Sequence, residues 1–232
     1  MSDAGAPPRG RPMGWAERTG TWLSEEALAG LLIILIVDMF VLPALGPNIG
    51  EVVLNLFFTF LLFTGVATVA TRGVAFVVVA ILAIAAAVLK WIAHVPGLPW
   101  SPATAPGAAI VVFGLFTLLV LLRTLSPGPI TRHRIQGAIA TYLLIGTTFA
   151  LSFELLELLH PGSLQFNEGQ PEIMKQAVGY FSMVTLTTVG YGDVTPVTPL
   201  ARRLAMFEGF IGQLYPAIII GWMVSSMKRR DD

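Results

Sequence analysis

The segment 187–193, TTVGYGD, is a short polar stretch between two long apolar runs, and its residues are well suited to binding a cation. Gly190 and Gly192 alternate with Val189 and Tyr191. Glycine permits backbone angles that other residues avoid. The alternation can therefore turn successive carbonyl oxygens to one side while the side chains pack on the other. Such a row of oxygens can replace the hydration shell of an ion.

The composition predicts a membrane protein. The chain has 232 residues, of which 55% are hydrophobic and 12% are charged, and its mean hydropathy is +0.76. Soluble domains average about 25% charged residues, so we expect the lipid bilayer to be the main partner. The formal net charge is zero, which gives no indication of a nucleic-acid partner.

The sequence shows few of the residue groups that an enzyme active site requires. It has no cysteine, which removes thiolate chemistry, disulfides and cysteine metal sites. The three histidines, His94, His133 and His160, are far apart and lie at the ends of apolar segments. Because no constellation of nucleophile, base or metal ligands is visible, we expect neither an enzyme nor an organic cofactor.

Six apolar segments are long enough to be transmembrane helices, which need about 20 mostly apolar residues. They are residues 28–45, 52–70, 73–93, 108–125, 135–159 and 200–227. Turn-rich sequences such as PALGPNIG and VPGLPWSPATAPG separate them. Between the last two, residues 173–186 are helical in character but too short to cross. The pattern therefore predicts six crossings and one insert that enters the membrane and returns.

Basic residues near the segment ends indicate the orientation, because cytoplasmic loops are enriched in lysine and arginine. One side of the membrane receives Arg9, Arg11, Arg18, Arg72, Arg123, Arg132, Arg134, Lys228, Arg229 and Arg230. The other side receives Lys90, Lys175, Arg202 and Arg203. We expect a multi-pass protein of the plasma or inner membrane with both termini in the cytoplasm.

Over about residues 135–227 the sequence resembles the tetrameric potassium channel superfamily. All of TTVGYGD is present, AVGYFSMVTL at 177–186 is similar to a pore helix, and VTP follows. The resemblance implies an all-α membrane protein with six transmembrane helices, a re-entrant pore helix and a selectivity filter, in a homotetrameric pore. It implies K⁺ as the ion in the filter. A nucleotide-binding glycine turn is a weak alternative, because it needs a preceding strand and a following helix.

The resemblance assigns the K⁺ sites to the backbone of Thr188, Val189, Gly190, Tyr191 and Gly192. The hydroxyl of Thr188 would complete the innermost site. The side chain of Tyr191 would point away from the axis and wedge the filter against the pore helix.

The residues implied to support the filter are Thr187, Asp193, Tyr180, Phe181 and Glu208. Asp193 would lie behind the outer mouth, near Tyr180 or Phe181. Some family members have a glutamate where this chain has Val184, so that carboxylate contact to Asp193 is absent here. Glu208 is expected to face the pore helix and brace the filter from behind, or simply to be protonated and packed.

The number of subunits follows from the coordination that K⁺ needs. One loop supplies too few oxygens for an ion site, and four loops around one axis would complete the shell. The sequence contains one TVGYG. We therefore expect a homotetramer with cyclic symmetry, rather than a dimer of subunits with two pore loops each.

The last apolar segment is expected to line the inner pore. The resemblance places Gly212 at the inner-helix hinge, and Pro216, one turn later, removes a backbone donor and bends the helix. Gln213, Ile220 and Val224 would face the cavity. Close packing is an equally good interpretation of Gly212, because small residues are common at helix contacts in membranes.

The four segments before the pore unit have the layout of a voltage-sensing domain without its charges. The fourth reads AAIVVFGLFTLLVLLRTL and has a single arginine, Arg123, at its cytoplasmic end. Steep voltage gating uses roughly three to four charges per subunit. We interpret Arg123 as a positive-inside anchor and expect weak or absent voltage dependence.

A polar cluster is predicted within the front segments, formed by Asp38, Glu51, Asn55 and Lys90. Asp38 lies about 15 Å into the first segment at 1.5 Å per residue, near the bilayer midplane. Charges at that depth are costly and usually paired or functional. We favour a structural role for the cluster over a role in transport.

The predicted organisation has four parts. Residues 1–26 form a partly disordered cytoplasmic segment, for which a short interfacial helix is one interpretation. Residues 27–125 form the front domain, 126–136 an amphipathic linker on the inner surface, and 137–232 the pore domain. Two rival functions stay open: a voltage- or pH-gated K⁺ channel that uses buried acids or the histidines, and a non-conducting membrane subunit that modulates other proteins.

Overall fold

The computed structural model describes residues 28–41, 81, 84, 88, 104–126, 131–166 and 174–228. The elements within these ranges are, in chain order, α1 (Leu28–Val41), α2 (Thr104–Thr124), α3 (Arg132–Leu159), β1 (Leu164–Phe166), α4 (Met174–Leu186), β2 (Val194–Pro196) and α5 (Pro199–Lys228).

Three of these helices, α2, α3 and α5, are long and apolar enough to cross a membrane, with qualifying stretches of 19, 28 and 27 residues. They correspond to the fourth, fifth and sixth predicted segments. The first predicted segment is described over residues 28–41, which form the apolar helix α1 and are π-helical at Val37–Val41. The second lies outside the described residues, and of the third only Ile81, Ile84 and Val88 are described, each helical. The described part of the chain is thus mostly helical.

Helices α2 and α3 begin earlier than predicted. α2 begins at Thr104 and not at 108, because Pro106 falls in the first turn, where a missing N–H costs no helical hydrogen bond. α3 begins at Arg132 and not at 135, directly after Thr131, whose backbone is extended with φ −109° and ψ 163°. Nothing in RHRIQ prevents a helix, so residues 132–136 of the predicted linker are the first turns of α3.

The first turns of α3 connect the front helices to the end of α5. Arg134 donates a hydrogen bond from Nη2 to Ser126 Oγ at 3.2 Å. Its guanidinium carbon also lies 5.6 Å from the ring centre of Trp222, within the range of a cation–π contact. This arginine therefore contacts the ends of two other helices.

Helices α1, α2 and α3 share one apolar core, whose buried members include Leu31, Leu35, Phe113, Phe116, Val120, Leu143 and Leu144. The two helices α2 and α3 approach closely at Gly137 of α3, where an added Cβ would lie 2.6 Å from Thr124 Oγ1 at the end of α2. Small residues at such contacts let helices come close together in membranes. The front helices α1 and α2 therefore pack directly on α3.

A second core joins α3, α4, β1 and the first turn of α5, and its buried members are Phe149, Phe153, Leu156, Leu164, Val178, Phe181 and Ala201. The rings of Phe153 and Phe181 meet edge to face, with centroids 4.9 Å apart, a favoured geometry for aromatic pairs. This core positions the short helix α4 against both long helices.

The described residues also contain a short antiparallel sheet, which the sequence analysis did not include. Leu164 of β1 lies opposite Pro196 of β2, and Phe166 lies opposite Val194. Val194 and Thr195 are β-branched and favour extended backbone. Pro196 has no N–H and stands at the last pair of the ladder, where proline is tolerated.

The turn before β1 is held by a buried carboxylate. Glu157 accepts hydrogen bonds from the backbone N–H of Gly162 at 2.6 Å and from that of Leu164 at 3.0 Å. Because β1 pairs with β2, which follows the segment 187–193 directly, this carboxylate also fixes the exit of that segment.

Candidate ion-conducting site

Helix α4 ends at the segment 187–193. Val178 and Phe181 of α4 are buried in the second core, and Leu186 at the end of the helix is buried as well. The hydroxyl of Thr187 donates to the carbonyl oxygen of Met183 at 2.6 Å, which closes the last turn. A helix C-terminus carries roughly half a negative charge, so this end favours a cation nearby.

Backbone hydrogen bonds fasten the segment to the end of α4. The N–H groups of Thr188 and Val189 donate to the carbonyls of Thr185 and Val184, both at 2.9 Å. The N–H of Gly190 donates to the same Val184 carbonyl at 3.3 Å. These carbonyls would otherwise lack donors at the helix end, so helix and segment form one hydrogen-bonded unit.

Every second residue from 188 to 192 has a left-handed backbone. The angle φ is 60° at Thr188, 55° at Gly190 and 81° at Gly192. Alternation of right- and left-handed residues turns successive N–H groups to one side of the chain, and successive carbonyl groups therefore to the other. Threonine rarely adopts a positive φ. The geometry favours a row of carbonyl oxygens and holds Thr188 under strain.

The C-terminal end of the segment 187–193 lies beside a pair of stacked tyrosines. The rings of Tyr180 and Tyr191 are nearly parallel, at 3°, with centroids 6.4 Å apart. The Tyr180 hydroxyl is hydrogen-bonded to Asp193, which raises the pKa of Tyr180 to about 12. Asp193 also accepts a hydrogen bond from the N–H of Val194 at 3.1 Å. Of the two aromatic neighbours named for Asp193, the structure brings Tyr180 to it.

Phe181 belongs to the second core, and Val184 lies one helical turn after Tyr180. Phe181 is buried against Phe153 in the second core. Phe181 and Val184 also line an open groove of about 410 Å³, together with Thr185, Thr188, Gly190, Gly192, Val194, Thr195, Pro196 and Ala205. The groove runs beside the segment, and the wall that Val184 contributes to it is apolar.

Glu208 faces α4 from the middle of α5 and is fully buried. Its Oε1 lies 2.5 Å from the hydroxyl oxygen of Ser182. That hydroxyl oxygen is also 2.8 Å from the carbonyl oxygen of Gly146 on α3. The structure therefore places Glu208 behind α4, at a contact of three helices, and its role towards the filter stays a prediction.

Gly212 packs directly against the last residue of α4. An added Cβ at Gly212 would lie 1.9 Å from the carbonyl oxygen of Leu186. The same oxygen accepts a hydrogen bond from the Tyr142 hydroxyl at 3.2 Å. This contact favours the close-packing interpretation of Gly212. Pro216 lies inside α5 and cannot donate to the Gly212 carbonyl four residues earlier.

The other residues expected to face a cavity lie on exposed positions of α5. All three, Gln213, Ile220 and Val224, are exposed. Ile220 and Val224 each have 61% of their surface accessible. Their contact with a pore stays a prediction.

The predicted polar cluster of the front segments falls mostly outside the described residues. Asp38 belongs to the π-helical turn of α1, while Glu51, Asn55 and Lys90 lie outside the described ranges.

Among the described residues, three hydroxyl groups that join α3 to α4 or to α5 were missed in the sequence analysis. They belong to Ser182, Tyr142 and Tyr215, the last of which donates to the Ala138 carbonyl at 2.8 Å. The sequence gives little indication of such a contact, because a hydroxyl in an apolar helix can equally well bond the backbone of its own helix. The only available hint was their position inside runs that otherwise face lipid or protein.

Comparison with known proteins gives one family and several relatives. Residues 138–229 match the ion channel family. Over 84 residues, 36% of this chain, it is 36% identical to two pore potassium channel c of Oryza sativa subsp. japonica, and the match covers 17% of that protein. Over 42 residues, 16% of this chain, it is 48% identical to potassium channel K1 of Plasmodium berghei (strain Anka), covering 2% of it.

A further relative is matched over most of its own length. Protein LctB of Bacillus caldotenax is 26% identical over 117 residues, 48% of this chain and 86% of that protein. The chain thus spans less than a fifth of the two longer relatives. No solved structure matches it.

Proposed function

This chain belongs to the potassium channel superfamily through residues 138–229, and we propose that the protein conducts K⁺ passively and selectively across a membrane. Membership of an ion channel family indicates a channel and not an enzyme. The observation that carries the proposal is the left-handed backbone at Thr188, Gly190 and Gly192, fastened to the end of α4. A row of carbonyl oxygens there would replace the hydration shell of K⁺. We call residues 187–193 the filter segment.

The proposed pore is a homotetramer. One filter segment supplies carbonyl oxygens from one side, and an ion needs them all around. Cyclic symmetry would bring four identical segments to one axis. The surface of α5 supports this arrangement, because Met206, Phe210, Leu214 and Ile218 are large apolar residues left exposed on a single chain. In a tetramer such residues would meet neighbouring subunits or lipid.

We place the channel in the plasma or inner membrane with both termini in the cytoplasm, and we propose weak or absent voltage dependence. In helix α2 the last turn carries Arg123 as its basic residue, and the first turn has no acidic residue. One charge at the membrane edge crosses little of the field, whereas a charge that crosses all of it gains about 2.3 kcal/mol per 100 mV. A current that rises steeply with voltage in planar bilayers would contradict this part.

The deciding experiment is ion flux from the purified full-length protein in liposomes. K⁺ flux should clearly exceed Na⁺ flux in matched gradients. Equal flux of the two ions would show that residues 187–193 do not form a K⁺-selective filter. A folded protein that passes neither ion under any voltage or pH would instead favour the non-conducting subunit.

A pair of alanine variants makes the test specific to the filter backbone. Gly190→Ala should abolish K⁺ selectivity, because alanine at φ 55° is disfavoured by roughly 1–2 kcal/mol in each subunit. Gly179→Ala is the matched control, since Gly179 lies on α4 without a positive φ and has open space around its Cβ position. Equal loss in both variants would point to a general folding defect.

A further inference from the structure

Glu208 is an acid with no exposed surface, at the contact of three helices. Its Oε1 lies 2.5 Å from Ser182 Oγ on α4, and Ser182 Oγ lies 2.8 Å from the Gly146 carbonyl oxygen on α3. Its Oε2 is buried and has no hydrogen-bond partner among the described residues. One carboxyl group therefore joins α5 to α4 and, through one hydroxyl, to α3.

Counting hydrogens assigns the protonation of this carboxyl group. A serine hydroxyl carries one hydrogen and can donate it to one oxygen only. The Gly146 carbonyl can only accept, so the hydroxyl hydrogen serves it, and the short contact to Glu208 then needs a hydrogen from the carboxyl group. If Glu208 were ionised, one of the two contacts would bring two oxygens together without any hydrogen. Only the neutral acid satisfies both.

The charges around Glu208 lead to the same assignment. Tyr142 on α3 is a titratable side chain close enough to interact electrostatically with Glu208, and it carries no positive charge. Residues 177–186 of α4 contain no lysine, arginine or histidine, and the tyrosine among them bonds Asp193. Residues 204–212 of α5 contain no basic residue either. An ionised carboxylate buried without a cation or several donors is far more costly than a neutral acid.

We propose that Glu208 is a proton-binding site of the pore domain, in which the neutral acid donates to Ser182, and Ser182 donates to the Gly146 carbonyl. The bound proton holds α5 and α3 against α4 immediately before the filter segment. The link from this site to conduction rests on the proposed function, whereas the protonation itself does not.

The position of the contact explains why it would act on the filter. Ser182 lies within the last turns of α4, and the filter segment is hydrogen-bonded to the carbonyls of Val184 and Thr185 just beyond it. At Gly146, α3 and α4 are in close contact, since an added Cβ on this glycine would lie 2.6 Å from the sulfur of Met183. A shift of α4 at Ser182 would therefore move the groups that position the filter backbone.

Infrared difference spectroscopy of the reconstituted full-length protein tests the protonation directly. The wild type should show the C=O stretching band of a protonated carboxyl group at neutral pH, and Glu208→Gln should remove it. Ser182→Ala should shift the band, because the acid loses its acceptor. Glu154→Gln, the same substitution on α3, should leave it in place. A band that survives in Glu208→Gln, or no band in the wild type, would overturn the proposal.

Flux and thermal unfolding test the contact itself. Glu208→Gln keeps a neutral donor, so it should retain K⁺ flux and unfolding temperature close to those of the wild type. Glu208→Leu and Ser182→Ala should reduce flux by about tenfold or more, because each leaves a buried polar group without its partner. If Gln is as damaging as Leu, the charge and not the proton is required, and the proposal is wrong. If the wild type carries the infrared band but conducts no K⁺, the proposed function fails and the proton site stands.

Discussion

Replacing Gly212 with alanine should separate α5 from the end of α4. The added Cβ would lie 1.9 Å from the carbonyl oxygen of Leu186 and 2.8 Å from its carbonyl carbon. Both are backbone atoms, so no side chain can rotate away to make room. Because Leu186 is followed directly by the filter segment, the substitution acts on the point where that segment begins.

The size of the effect follows from the geometry. Ordinary Cβ contacts begin at 3.4 Å, so the contact at 1.9 Å has to lengthen by about 1.5 Å. Overpacking of this kind costs about 1–3 kcal/mol, and a clash with backbone belongs at the upper end of that range. Alanine regains about 1 kcal/mol of helix propensity relative to glycine. We therefore expect a net loss of about 2 kcal/mol in the free energy of unfolding of each subunit.

Gly221→Ala is the matched control in the same helix, because an added Cβ at Gly221 would meet no atom within 4 Å. The assay is thermal unfolding of the purified protein in detergent, followed by K⁺ flux in liposomes. The Gly212 variant should unfold at a lower temperature and lose K⁺ flux or selectivity. The Gly221 variant should be at least as stable as the wild type and should conduct normally.

One result would refute this reasoning and another would revive the hinge interpretation of Gly212. A Gly212 variant that is as stable and conductive as the wild type would show that α5 does not contact Leu186 this closely in the working protein. A variant with an unchanged unfolding temperature but altered opening would instead identify Gly212 as a hinge, because a hinge affects the balance between states and not the packing of one.

Two further predictions concern the outer mouth. Tyr180→Phe removes the hydroxyl bonded to Asp193, and it should lower the unfolding temperature equally at neutral and mildly alkaline pH. The pKa of Tyr180, raised to about 12, keeps the hydroxyl protonated: its stabilising effect is complete below the ordinary tyrosine value of about 10 and is lost as pH rises through about 12. A difference from the wild type that vanishes in mild alkali would contradict this. Glu157→Gln should cost about 1–2 kcal/mol of stability, because the backbone donors before β1 lose a charged acceptor, whereas Glu154→Gln should cost less in the same thermal unfolding assay.

Much of the described helical structure could be predicted because its signals are local in sequence. A bilayer requires about 20 apolar residues per crossing, and that rule located α2, α3 and α5 with their ends displaced by at most four residues. The glycines at 190 and 192 indicated a backbone conformation that other residues avoid. The positive φ at Thr188 was not visible, since a β-branched residue gives no local signal for that conformation.

The remaining features depend on contacts between distant segments. The sequence could not pair 164–166 with 194–196, because two three-residue strands carry little alternation. It could not separate the two interpretations of Gly212 either, since a glycine needed for close approach looks the same as one needed for bending. Ser182 was missed because its meaning depends on Glu208, 26 residues later, and on Gly146 in a third helix.

Hydroxyl groups and small residues, more than apolar burial, determine how these helices fit together. Lipid tails are as apolar as leucine, so burying leucine gives helices in a bilayer little reason to choose one partner or register. A hydroxyl that donates to a carbonyl of another helix, or a glycine that admits a backbone atom, fixes both. Such contacts connect α3 to α4 and to α5 at Gly146, Leu186 and Ala138, the carbonyls that receive Ser182, Tyr142 and Tyr215. The arrangement behind the filter segment is therefore specified by a few polar and glycine positions, and exchange of one apolar residue for another on the exposed face of α5 should matter far less than the loss of a single hydroxyl.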